Sequence, residues 1–155
     1  MRTRAPRRAG AARAGVEPAG ARPVLLATLD VPVLAEAARV AVDSAVESGQ
    51  PLLVVNVVAR PFSPAVLAGW DTPSAPDVER SLRDPAELAR ALGARVERLR
   101  VRSPHPLEAL LQLAGERAPG LLVFGADASR LRRRRYERAA RALERRVPCL
   151  VWLPR

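Results

Sequence analysis

Four apolar residues, Leu121 to Phe124, run into Gly125, a short polar turn and then a seventeen-residue segment, Arg130 to Arg146, that holds nine arginines. Strand, glycine turn and helix in that order place backbone N–H groups and a helix N-terminus where they can receive a phosphate. Arginine adds to that chemistry, because its planar guanidinium matches the paired oxygens of phosphate or carboxylate. Arg130, Arg132, Arg133, Arg134, Arg135 and Arg138 all fall near the start of the segment, so anion or partner contact is the first chemistry to weigh. By the helix dipole alone, each arginine in a first turn is unfavourable by about 0.3 to 1 kcal/mol unless an anion compensates. Two blander accounts stand beside that one: the helix begins later than Arg130, or solvent screens the charges.

Other reactive groups are few. His105, the single histidine, lies between Pro104 and Pro106 and reads as a turn or helix-entry residue rather than a catalytic base. Cys149, the single cysteine, excludes an internal disulfide and suits a reducing cytoplasm. It reads as an inert thiol buried in the last strand, although Arg145 and Arg146 nearby would favour a thiolate. His, Cys and carboxylates show no metal-ligand spacing, and neither a Walker pattern nor Gly-x-Ser-x-Gly occurs. These absences point away from an enzyme and from a metal site.

The charge is unevenly distributed. All 26 basic residues are arginine, and the net charge is +10. Residues 1–22 hold six Arg and one Glu, the 130–146 segment holds nine Arg and two Glu, and the rest of the chain is slightly acidic. Basicity therefore belongs to an N-terminal arm and one helix. Residues 1–22, rich in Ala, Gly, Pro and Arg, lack a continuous apolar stretch and read as a disordered arm rather than a signal peptide. No apolar run is long enough to span a membrane, and a cytoplasmic location is expected. Residues 23–155, one domain's worth of chain, can bury a core of Val, Leu and Ala.

The elements that must position these groups emerge from periodicity. Val24 to Leu29 reads as a strand buried on both faces, ending at Asp30. Leu34, Ala37, Ala38, Ala41, Val42 and Ala45 recur at helical spacing over Val33 to Ser48, and Gly49 supplies the stop. Leu52 to Val58 is rich in β-branched residues and suits a central strand, completing a right-handed βαβ unit. Ala59 to Pro76 reads as a long connection with a helical turn near Ala65 to Ala68. Asp84, Pro85 and Glu87 have the spacing of an N-cap, a first helical position and a capping box, so a helix is expected from there to Gly93, with Asp77 to Arg83 as an earlier turn of the same element. Arg95 to Val101 alternates like an edge strand. Pro106 opens a helix closed by Pro119 and Gly120, and Cys149 to Leu153 is the last strand. The 130–146 helix carries Arg130, Arg134, Arg138, Arg141 and Arg145 on an outer stripe and Tyr136, Ala140, Leu143 and Val147 on an inner one. The order predicts an α/β fold, an open doubly wound parallel five-stranded sheet with helices on both faces.

VLLATLD, LLVVNVV, GARVERLRV, PHPLEALLQLAGERAPGLLVFGAD and VPCLVWLP, in that order over Pro23 to Pro154, resemble the universal stress protein family. The resemblance implies a Rossmann-like single domain and a nucleotide site whose adenine and ribose contacts map to Asp30 and the backbone near Val57. Structurally, Asp30 can equally cap the helix after the first strand. ATP-binding members carry Gly, two residues, Gly, nine residues, Gly and a hydroxyl residue after the fourth strand. Here the positions are Gly125, Ala128, Arg138 and Ala139, so one glycine of three survives and the hydroxyl is gone. Asp127 adds an acid that would repel phosphate. The function expected on this basis is that of a non-enzymatic regulatory or stress-response module working through a partner or small ligand, with no cofactor and weak ATP binding or none. Two alternatives stay open: a nucleotide-binding sensor of the same fold, and an electrostatic binder of nucleic acid or an acidic protein through the 130–146 helix and the arm. The resemblance also implies a homodimer through the closing strand, Cys149 to Leu153.

Overall fold

The computed structural model describes residues 20–59 and 73–155. The region of the expected 65–68 helical turn and most of the 1–22 arm lie outside them. Five parallel strands, β1 (Val24–Thr28), β2 (Leu52–Ala59), β3 (Val96–Ser103), β4 (Leu121–Phe124) and β5 (Leu150–Trp152), form one sheet in the order β3-β2-β1-β4-β5. Among the described residues four helices connect them: α1 (Ala35–Ser48), α2 (Pro76–Ala91), α3 (Pro106–Arg117) and α4 (Arg133–Arg146). All five residues of β1 are buried, as its continuous apolar run requires of a strand covered on both faces.

Alternation along the strands divides the core in two. Val24, Leu26, Leu52, Val54 and Val123 face α1 and α2, packing on Ala37, Ala41, Val42, Ala45, Val78, Leu82 and Ala86. Leu25, Ala27, Leu53, Val55, Leu122 and Phe124 face α3 and α4, against Leu110, Leu111, Ala114, Ala139 and Leu143. The doubly wound architecture expected from the pattern is the one observed.

Several boundaries differ. The first helix starts at Ala35 rather than Val33, because Val33 is drawn into an antiparallel bridge with Ala126. Its N-cap is Leu34, with no side-chain cap, so Asp30 does not cap it. The expected start at Asp84 is also overruled: α2 is continuous from Pro76, and Pro85 sits inside it. Val78, Leu82, Ala86 and Ala89 are buried together with Pro85, and this stripe holds the helix through the residue that local punctuation would use to begin it. β3 extends to Ser103 and occupies one edge. Helix α4 begins at Arg133, leaving Arg130 and Arg132 outside it, and Leu131 is buried in the turn before it. Cys149 precedes β5 rather than lying in it, and is half-buried. Burial pushes its thiol pKa up, which disfavours the thiolate.

Candidate functional site

The winding of the sheet reverses between β1 and β4, and the crevice beyond their C-terminal ends is where an open α/β sheet receives a ligand. The two loops that border it here are sewn together. Leu34 donates its N–H to the Gly125 carbonyl at 2.9 Å, and Asp127 donates to the Pro32 carbonyl at 3.0 Å. From the α2 side, the Ser81 hydroxyl accepts the Val33 N–H at 3.0 Å.

Asp30 stands at the end of β1 with a φ of 58°, a left-handed conformation that Asp tolerates better than most residues. Its N–H donates to Asn56 Oδ1 at 2.9 Å, and its Oδ1 accepts from Ser74 Oγ at 2.8 Å and more weakly from Asn56 Nδ2 at 3.3 Å. Asn56 also donates to Ser74 Oγ at 3.1 Å. The carboxylate that could hold a ribose is thus engaged by two neighbours inside the protein. Val57, one residue on in β2, is buried in the core on the α3/α4 face. Neither Asn56 nor Ser74 belongs to the set of site residues that the sequence points to. The signal for Asn56 is the single polar letter inside LLVVNVV, since a buried amide needs partners.

The loop after β4 spends its donors internally. Gly125 donates its N–H to the Ala27 carbonyl at 2.9 Å, and the Asp127 carbonyl accepts the N–H groups of Arg130 and Leu131, each at 3.0 Å. Asp127 Oδ1 accepts the N–H of Ser129 at 2.9 Å and its hydroxyl at 2.6 Å. These bonds, chiefly that from the Ser129 hydroxyl, hold the Asp127 carboxyl below the usual carboxylate range, with Arg130 adding to the effect. An ionised side chain of the protein therefore sits where the nucleotide motif would have brought phosphate. Gly125 itself serves packing. A Cβ there would stand 2.7 Å from Val33 Cγ1 and 3.0 Å from Ala37 Cβ.

The predicted arginines disperse. Arg130 pairs with Asp77 at the start of α2, at 3.1 Å. Arg132 occupies the N-cap position of α4 with a φ of 32°. Arg133 pairs with Glu137 one turn on, at 2.9 Å, and Glu137 also meets Arg141 at 3.4 Å. Arg133 and Ala128 line a groove with Tyr136 and the C-terminal Arg155. Tyr136 is half-buried beneath the helix and stacks on Phe124 with ring centroids 5.5 Å apart. Arg134 is exposed.

Arg135, Arg138 and Ala139 come together instead in a cavity of about 320 Å³ beside Leu29. Its other wall is Pro104 to Glu108, at the start of α3, including His105. The predicted set is thus split: Arg135, Arg138 and Ala139 share one cavity, Asp30 belongs to a hydrogen-bonded triad, Gly125 to the core, and Ala128 to a different groove. Among the described residues no group of His, Cys and carboxylates could hold a metal ion, and no helix is long and apolar enough to cross a membrane.

The fold is similar to several solved structures. A universal stress protein from Archaeoglobus fulgidus in complex with dAMP is 18% identical with a TM-score of 0.59, covering 85% of this chain and 96% of that one. The protein UspA from Lactobacillus plantarum is 18% identical with a TM-score of 0.62, covering 86% and 97%. A universal stress protein in complex with cAMP is 23% identical with a TM-score of 0.58, covering 86% and 97%. No curated protein sequence matches the chain. The family model for universal stress proteins matches residues 20–155, and with that match and the strand order β3-β2-β1-β4-β5, the chain belongs to the universal stress protein family.

Proposed function

We propose that this chain is a regulatory universal stress protein module that works by binding a partner or a small ligand rather than by catalysis, and that it binds ATP weakly or not at all. The single observation that carries this reading is the fate of the donors beside the crevice. The N–H groups of Gly125, Asp127, Ser129, Arg130 and Leu131 all donate within the protein. A phosphate cradle needs such groups free and converging on the anion. Two of the three glycine positions are Ala128 and Arg138, so the backbone is also shielded from close approach. Solved relatives hold dAMP and cAMP, which supports a small ligand as the occupant without requiring a triphosphate.

Isothermal titration of the full chain with ATP and magnesium checks this. The expected result is no saturable heat in the micromolar range, and a micromolar dissociation constant would sink the reading. Supporting the expected homodimer, Leu150 in the edge strand β5 is 72% exposed.

A further inference from the structure

Resting on the reading that the triphosphate cradle is lost, we propose that the cavity between the start of α3 and α4 binds a compact phosphate dianion through Arg135 and Arg138. The two residues are three apart on α4 and so lie on the same face, and both line the cavity. Among the described residues neither is paired with a carboxylate, unlike Arg130, Arg133, Arg141 and Arg146. The lining does include Glu108, but Arg146 grips it with two bonds, at 2.7 and 3.1 Å. Its charge is therefore matched from outside, and the cavity keeps the charge of its two arginines.

Leu29, Pro104, Pro106, Leu107 and Ala139 supply apolar walls. These walls offer an apolar surface to the carbon side of a phosphate ester, while Arg135 and Arg138 are themselves exposed at the mouth. Two guanidinium groups lining one cavity suit a group with three terminal oxygens and two negative charges better than a single carboxylate. At about 320 Å³ the cavity lies at the small end of ligand sites, and Arg138 projects from a position where the nucleotide motif has glycine. Both facts favour a phosphomonoester head or free phosphate over a whole nucleotide triphosphate. The positive end of the α3 dipole lies on the same side and adds to the attraction without carrying it.

The test is calorimetric titration of the full chain at low salt with phenyl phosphate, inorganic phosphate and magnesium ATP in separate arms. Saturable binding is expected for at least one of the first two, and the tighter of them identifies the source of the dianion. Arg135→Gln and Arg138→Gln should each weaken it by about tenfold or more, while Arg134→Gln, exposed and outside the cavity, should leave it unchanged. Thermal melts of the three variants show whether each is folded. Silence in both phosphate arms overturns the proposal, and so does an equal loss in Arg134→Gln, which would mark diffuse attraction to the arginine-rich face as used by nucleic acid. Micromolar ATP binding instead overturns the underlying reading. Silence in all three arms removes the dianion while leaving that reading intact.

Discussion

Gly125 is the one glycine of the nucleotide motif that this chain keeps, and its surroundings explain it without a nucleotide. It does not have a positive φ, so no turn demands it. The space where a side chain would begin is filled by Val33, Ala37 and Leu26, at 2.7, 3.0 and 3.2 Å. All three are buried, and a well-packed core accommodates an extra methyl only by shifting backbone or rotamers. Gly125→Ala should therefore destabilise the protein by about 1 to 3 kcal/mol, read as a lower midpoint in urea. Because Val33 Cγ1 is the nearest atom, adding Val33→Ala should recover part of that loss, so that the double variant is more stable than the two single effects predict. A Gly125→Ala protein as stable as the parent would mean that α1 moves away from β4 at no cost, contrary to this packing.

At the scale of elements, α2 separates what the letters make explicit from what they misstate. The strands and the alternation that places helices on both faces are legible because hydrophobic periodicity is the quantity that the core selects. The start of α2 is not. Asp84-Pro85 has the local chemistry of a helix entry, but Val78, Leu82, Ala86 and Ala89 bury one continuous stripe, and tertiary burial outweighs local punctuation. The same logic explains the site. The loss of motif glycines at Ala128 and Arg138 is visible in the letters, whereas the engagement of Asp30 by Asn56 and Ser74 joins residues far apart in sequence, and no spacing rule connects them. Pro85 should also exact a cost. Without an N–H it cannot donate to the carbonyl of Ser81, and an interior proline is unfavourable by about 3 kcal/mol. Pro85→Ala restores that bond and gives up part of a buried ring, roughly 1 to 2 kcal/mol. The net gain of about 1 to 2 kcal/mol should raise the melting point by about 2 to 8 °C in calorimetry. A lower one would show that the ring's packing between α1 and α2 dominates.

For the whole molecule, the two sheet edges are dressed differently, and the expected homodimer would use the uncharged one. The outer edge, β3, carries Glu97, Arg98, Arg100 and Arg102, and Arg117 and Arg98 are tied down there by Glu97 and Glu79. Charged side chains along an edge discourage a second strand from pairing with it. At the opposite edge, β5 reads Leu150, Val151 and Trp152 with no charge, and Leu150 is 72% exposed. A two-fold axis beside β5 would let each copy cover the other's Leu150 and pair the two unpartnered backbones, which is the self-complementary interface that a closed dimer requires. The measurement is native mass spectrometry or light scattering of the parent and of Leu150→Asp at tens of micromolar. A dimer is expected for the parent and a monomer for the variant. Because the side chain is largely in solvent within one copy, the substitution should leave the stability of the isolated domain within about 0.5 kcal/mol, so loss of the dimer cannot be mistaken for unfolding. A parent that is monomeric at that concentration, or a variant that remains dimeric, would remove β5 as the interface.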